Sequence, residues 1–451
     1  MMTFHKFITQ RQFEGQTHLI LLLSLLLLLW NVLSMLQTTP PLTVKHACAI
    51  SAVRWKNIRM KESEPSKNNK NSDPGSQTQD QENIAPQISL LPQEEMLSFF
   101  LLDDASSQIT PFEPELETQK RIAADRTQTL ETRLEAYEDI YESEVGDTSL
   151  ARARNIEREV GFRQVYLKFE GGNPTGTQKD RIAFAQVRDA VRRGFDAITL
   201  ATCGNYGVAM AFASCLAGLR CVIHIPENYH TKRAQEMIDY GAEIIRGEGD
   251  YEKAVMASRK YAESNELYDA NPGGANTVLQ QRAYGEIAYE IYDELRDAPG
   301  FVAVPVSNGT TLAGIYKGFV SLYRRGKTSR MPRMIAGSSY GKNPIISAFL
   351  KKIPECTDLK PEQIRETSVN EPLINWQSLD GDHALESIRL SRGWAAYASD
   401  KNMLNFSRLI REREGLNVLP ASTAGLIALL DLHTKENLGN ERYVVILTGR
   451  K

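Results

Sequence analysis

From Gly146 to the C-terminus, short apolar runs alternate with segments of helical length, and that rhythm constrains the fold more than any other feature. Val165–Phe169, Ala197–Ala201, Cys221–Ile225, Glu243–Arg246, Phe301–Val306, Met334–Gly337 and Tyr443–Leu447 read as strands. Lys179–Arg193, Gly207–Ala217, Thr231–Tyr240, Tyr251–Ser264, Val278–Leu295, Leu312–Tyr323, Lys401–Glu414 and Ser422–Leu432 read as helices. Gly218, Gly241 and Gly326 sit where helices should stop. A strand that is apolar throughout has both faces buried, and parallel neighbours need a crossover helix to join them. The expected class is α/β, with open, mostly parallel sheets flanked by helices.

Upstream the chain changes character. Leu19 to Leu36 is almost wholly apolar, and no Lys, Arg, Asp or Glu occurs between Gly15 and Val44. Residues 1–60 therefore read as an anchor, a signal segment or an extended gene start. Positive charge is denser after the run (Lys45, Arg54, Lys56, Arg59, Lys61) than before it. That bias would keep the following domain cytoplasmic, with 19–36 as a membrane tether. Residues 61–89 are too polar to offset their ordering entropy and read as a disordered linker. Residues 90–145 read as a lead-in, with one helix over Glu115–Tyr141 and Pro114 at its start.

The 451 residues, 42% hydrophobic and 24% charged, suit a globular protein of two or three domains. A net charge of -3 gives no sign of a nucleic-acid partner. The cysteines, Cys48, Cys203, Cys215, Cys221 and Cys356, lack the spacing of a disulfide framework or a metal site.

In open α/β sheets ligands gather at the loops leaving the strand carboxyl ends, and four such loops here depart from plain connectors. Glu170-Gly-Gly-Asn-Pro-Thr-Gly-Thr-Gln-Lys179-Asp-Arg181 ends on a lysine at a helix start. Partial burial would make that amine nucleophilic, although a lone lysine there is more often a solvated surface residue. Thr202-Cys-Gly-Asn205-Tyr-Gly207 again joins strand to helix. Its backbone N–H groups suit a carboxylate, and Asn205 reads either as a ligand-binding amide or as a helix cap. Ser307-Asn-Gly-Thr-Thr311 is rich in backbone donors and hydroxyls, of the kind that cradles phosphate, and it is neither a Walker A loop nor a dinucleotide fingerprint. Thr448-Gly449 closes the last apolar strand.

The order of these landmarks resembles fold-type II pyridoxal-phosphate enzymes. "YLKFEGGNPTGTQKDR" is very similar to the cofactor-lysine motif of threonine synthases, and "ASDKNMLNFSRLIREREGLNVLPASTAGLIALL" resembles their C-terminal half. "GDTSLARAR" matches the family's opening segment, with Ser149 where proline is usual. The resemblance implies a catalytic region over 146–451, with a smaller subdomain at about 195–272 and a larger one from the remainder. It also implies a homodimer.

By this match Lys179 forms the Schiff base with pyridoxal 5'-phosphate and later shuttles protons. Asn205 is expected beside the ring hydroxyl, and Ser307, Asn308, Gly309, Thr310 and Thr311 around the cofactor phosphate. Thr448 is expected at the pyridine nitrogen, and Thr202, Cys203 and Gly204 at the carboxylate of an amino-acid substrate. The implied reaction converts O-phosphohomoserine and water to threonine and phosphate. A second anion site is then required, with Lys168 and Arg181 as candidates alongside Asn173, Thr175 and Thr177; for Lys168 and Arg181 a surface ion pair is the competing role. The bulk of Tyr206, the paired threonines and the chain end at Lys451 depart from the family pattern. They keep open an alternative, β-replacement or β-elimination on O-phosphoserine, O-acetylserine, serine or threonine, as in cysteine, cysteate or diaminopropionate synthases and dehydratases.

Overall fold

The computed structural model describes residues 115–451 apart from positions 162, 203 and 228–232. The apolar run 19–36, the linker 61–89 and the start of the lead-in lie outside the described residues. Among the described residues no helix is long and apolar enough to cross a membrane.

The lead-in forms two helices rather than the one expected, α1 (Glu115–Ala124) and α2 (Leu130–Glu144). The Asp125 carboxylate accepts from the Thr127 amide and hydroxyl, and Thr129 caps α2 by accepting from the Thr132 amide. Such local side-chain bonds compete with helix continuation. The buried Arg133 donates to the carbonyls of Ala123 and Ala217, and Tyr137 stacks on Phe184, so α2 is fixed to the main body.

Next come β1 (Leu150–Arg152), α3 (Arg154–Val160), β2 (Val165–Phe169), α4 (Lys179–Arg192) and β3 (Ala197–Ala201). They are followed by α5 (Asn205–Leu216), β4 (Arg220–Pro226), α6 (Arg233–Asp239), β5 (Glu243–Gly247), α7 (Tyr251–Ser264) and β6 (Tyr268–Asp269). The chain continues through α8 (Thr277–Leu295), β7 (Phe301–Pro305), α9 (Thr310–Arg324), β8 (Arg333–Ser339), α10 (Pro344–Lys351) and α11 (Gly381–Leu390). It closes with β9 (Trp394–Ala398), α12 (Asp400–Glu414), α13 (Ala424–Glu436) and β10 (Tyr443–Leu447).

Two sheets result. Six strands run in the order β1-β2-β10-β7-β8-β9, and four in the order β5-β4-β3-β6. Every pairing is parallel except β1 with β2. The central strands β3, β7 and β10 are buried at every residue, as helices on both faces require. In the larger sheet β2 and β7 flank β10, so the loops that follow these three strands open side by side.

Candidate active site

One cavity is lined by Thr177, Gln178 and Lys179, by Asn205 and Tyr206, by Ser307–Thr311 and by Thr448. The lysine loop, the asparagine loop, the hydroxyl-rich loop and the end of β10 therefore meet. Thr202 and Gly204 lie in the turn just before Asn205 but do not line the cavity. Cys203 lies outside the described residues.

Lys179 opens α4. Burial lowers its amine to about 8, with no charged partner contributing. Its Nζ lies 5.8 Å from the centre of the Tyr206 ring and 6.0 Å from that of Tyr284. Both phenols are pushed up by burial and stay neutral. Among the described residues no acid pairs with Lys179, and a lysine so placed in a pocket is a nucleophile held ready. The loop before it is pinned: Thr175 donates its hydroxyl to Asp180 over 2.7 Å and its amide over 3.0 Å. Burial raises the Asp180 carboxyl to about 7 against those bonds.

Asn205 is not the helix cap, because Gly204 occupies that position and no side chain caps α5. Tyr206 donates to the Ala270 carbonyl over 2.8 Å, which fixes its ring against the cavity. The hydroxyl-rich loop leads into the N-terminus of α9, where unpaired backbone N–H groups favour an anion. Gly309 has φ +92, and a Cβ there would lie 2.7 Å from the Ala384 Cβ. The loop is held from outside by Asn343, which donates to the Ser307 carbonyl, and by Asn375, which donates to the Asn308 side chain. Thr448 exchanges a hydrogen bond of 3.0 Å with the buried Ser422.

Lys168 and Arg181 are not brought to the cavity. Lys168 is 1% exposed and its ammonium donates to Glu290 and to the Thr148 carbonyl. Arg181 donates to Glu170 over 2.6 Å and to Glu290 over 2.7 Å. Burial alone would raise Glu290, but Arg181 and Lys168 hold it down to about 2. These cations thus make ion pairs, buried rather than at the surface, which join β2, α4 and α8. Asn173 is likewise committed, donating to Glu170 and accepting from the Gly146 amide. Of the further anion-site candidates only Thr177 lines the cavity, its oxygen accepting from the Lys179 amide.

Sequence reasoning missed Gln280 and Tyr284, which enter the cavity from α8. Gln280 is 1% exposed, and among the described residues neither end of its amide has a hydrogen-bond partner. A glutamine inside a helix carries no motif, so nothing in the sequence marked it.

The comparisons with known proteins agree with this assembly. A family model described as pyridoxal-phosphate dependent enzyme matches residues 141–449. The chain belongs to that family. It is 32% identical over 308 residues to a threonine synthase of Methanocaldococcus jannaschii, covering 67% of this chain and 74% of that one. It is also 32% identical over 307 residues to a threonine synthase of a Bacillus species, covering 67% and 82%. Its fold is shared with maize serine racemase at TM-score 0.59 and 17% identity, covering 70% and 92%.

Pyridoxal phosphate is the family's cofactor, and the residues present fit it. An unpaired lysine amine, a glycine-shaped anion cradle at a helix start and an orphaned buried amide all face one cavity.

Proposed function

We propose that this family member is a threonine synthase, converting O-phosphohomoserine and water to threonine and phosphate. The observation that carries the reading is the meeting of Lys179 with a neutral hydroxyl, Thr448, and the start of α9 in one cavity. Bound pyridoxal phosphate supplies an electron sink for negative charge that develops on the amino acid. Lys179 holds the cofactor through its amine and then moves protons along the substrate carbons, for which an amine near 8 is suited. The Asn205 amide binds the ring hydroxyl. Ser307 to Thr311 bind the cofactor phosphate through backbone N–H groups. Thr448 would offer the ring nitrogen a neutral partner, and a ring so held would be a weaker sink than one paired with a carboxylate, suited to elimination and replacement. The family resemblance assigns the substrate carboxylate to Thr202, Cys203 and Gly204, in the turn that precedes the cavity residue Asn205, and the Thr177 hydroxyl is left to donate to the substrate phosphate. The family resemblance and the amino-acid chemistry also lead us to assign a homodimer, which sedimentation of the purified chain tests.

A second reading has its own support. With Lys168 and Arg181 closed in ion pairs, two cations available to a phosphorylated substrate are removed. That favours β-elimination or β-replacement on serine, threonine or O-acetylserine. Incubating the holoenzyme with these substrates, O-phosphoserine and O-phosphohomoserine separates the readings. Threonine with phosphate from O-phosphohomoserine alone supports the first; 2-oxoacid or acetate release from the others supports the second.

A further inference from the structure

Asp380 lies at the N-terminus of α11, with its side chain 1% exposed. Its two carboxylate oxygens receive different hydroxyls: Thr277 donates to Oδ1 over 2.8 Å and Thr310 to Oδ2 over 2.5 Å. Its backbone amide donates to the Asn308 carbonyl over 3.1 Å. His383 also approaches the carboxylate, its Nδ1 lying 3.8 Å from Oδ1. The Gln281 amide nitrogen, oriented by Lys317 on its oxygen, lies 3.1 Å from that same Nδ1 and donates to it. The His383 Nδ1 thus faces the Gln281 amide as well as the carboxylate. The negative charge rests on two hydroxyls and a helix start, a favourable position for an anion.

A threonine hydroxyl has one proton to donate. That of Thr310 goes to a carboxylate, which leaves only lone pairs for any anion in the cavity. We infer that Asp380 is a positioning residue for the phosphate-binding loop, and that Thr310 serves the loop through Asp380 rather than as a side-chain donor to phosphate. Asp380 grips the loop at Asn308 and Thr310 on either side of Gly309, and ties both to the start of α8 through Thr277. The backbone N–H groups of the loop are thereby held at a fixed angle without a side-chain cation.

This inference rests on assigning residues 307–311 to the cofactor phosphate, and the experiment distinguishes the two claims. The full-length protein, stripped of cofactor, is titrated with pyridoxal phosphate and with pyridoxal, binding being followed by visible absorbance and protein fluorescence. Asp380→Ala should weaken pyridoxal phosphate about tenfold or more and leave pyridoxal nearly unchanged. A merely structural defect would weaken both ligands alike. Thr310→Val should weaken pyridoxal phosphate in the native background and have almost no further effect on top of Asp380→Ala. If Asp380→Ala does not fold, Asp380→Asn takes its place in the cycle. Equal loss of both ligands, or a Thr310→Val effect undiminished in the double variant, would overturn the inference. A native protein that binds the two ligands equally would instead overturn the phosphate assignment itself.

Discussion

The amide of Gln178 donates to the carbonyl of Thr448 over 2.9 Å, so the residue before Lys179 is tied to the residue that ends β10. The clamp continues outward. Thr177 and Gly449 form an antiparallel bridge, and the Arg450 amide donates to the Gly176 carbonyl over 2.9 Å. The Arg450 guanidinium reaches the carbonyls of Gly171 and Pro174. Gly176 has φ +87, and a Cβ there would lie 2.6 Å from the Arg450 Nε, so loop and chain end are shaped for each other.

Removing that grip should loosen the cofactor lysine without unfolding the protein. Arg450→Ala should cost about 1–2 kcal/mol of stability, the size of two modest hydrogen bonds, and speed cofactor loss several-fold. Arg450→Lys should not restore retention, because one ammonium cannot match a planar fork on two carbonyls. Cofactor release followed by absorbance during dialysis checks both.

The Lys179 amine predicts a pH dependence. Only the deprotonated amine attacks the cofactor aldehyde, so capture by the stripped enzyme should rise about tenfold per pH unit below about 8 and level off above. Stopped-flow absorbance checks it. Stability should follow the same group. Between about 8 and 10.5 the unfolded chain binds the proton that the folded chain has released, so stability rises with pH across that window. Lys179→Met should abolish that rise.

Glu290 joins Arg181 and Lys168 beneath the site. Glu290→Gln leaves buried cations underpaired and should destabilise the protein by about 3 kcal/mol in urea denaturation. Because its carboxyl is depressed from 4.5 to about 2, its contribution is complete above pH 4.5 and is lost as pH falls toward 2. The variant should therefore lose less stability than the native protein over that range.

Glu290 also shows where the sequence stopped being informative. Periodicity gave Tyr251–Ser264 and Tyr443–Leu447 at their observed bounds, because long amphipathic and fully apolar stretches carry their own signal. The loops at Lys179, Asn205 and Ser307–Thr311, which meet at one cavity, stood out in the sequence because each interrupts a strand-to-helix connection with residues a connector does not need. Nothing local could say that Lys168 and Arg181 meet a glutamate 122 and 109 residues away. The exposed three-residue β1 and the alanine-rich β9 were too short or too small in side chain to register. Helix α10 did carry a signal that went unread, Asn343 as cap with Pro344 in the first turn. The single lead-in helix failed because Asp125 and Thr129 satisfy the backbone in a turn.

Gln280 offers a test of ligand contact that separates binding from folding. Both ends of its buried amide are unpaired, so Gln280→Leu removes a desolvation cost and should leave the melting temperature unchanged or raised. If the amide meets the substrate, KM should rise about tenfold with little change in kcat. An unchanged KM with a lowered melting temperature would make Gln280 a packing residue.

Whether this cavity turns O-phosphohomoserine into threonine is decided by running the reaction in 18O-labelled water and analysing both products by mass spectrometry. Cleavage of the carbon–oxygen bond sends the unlabelled bridging oxygen away with phosphate, and water adds at the β carbon. The expected result is threonine and phosphate in equal amounts, one 18O in the threonine hydroxyl and none in the phosphate. Label in the phosphate, or phosphate formed without threonine, would contradict it.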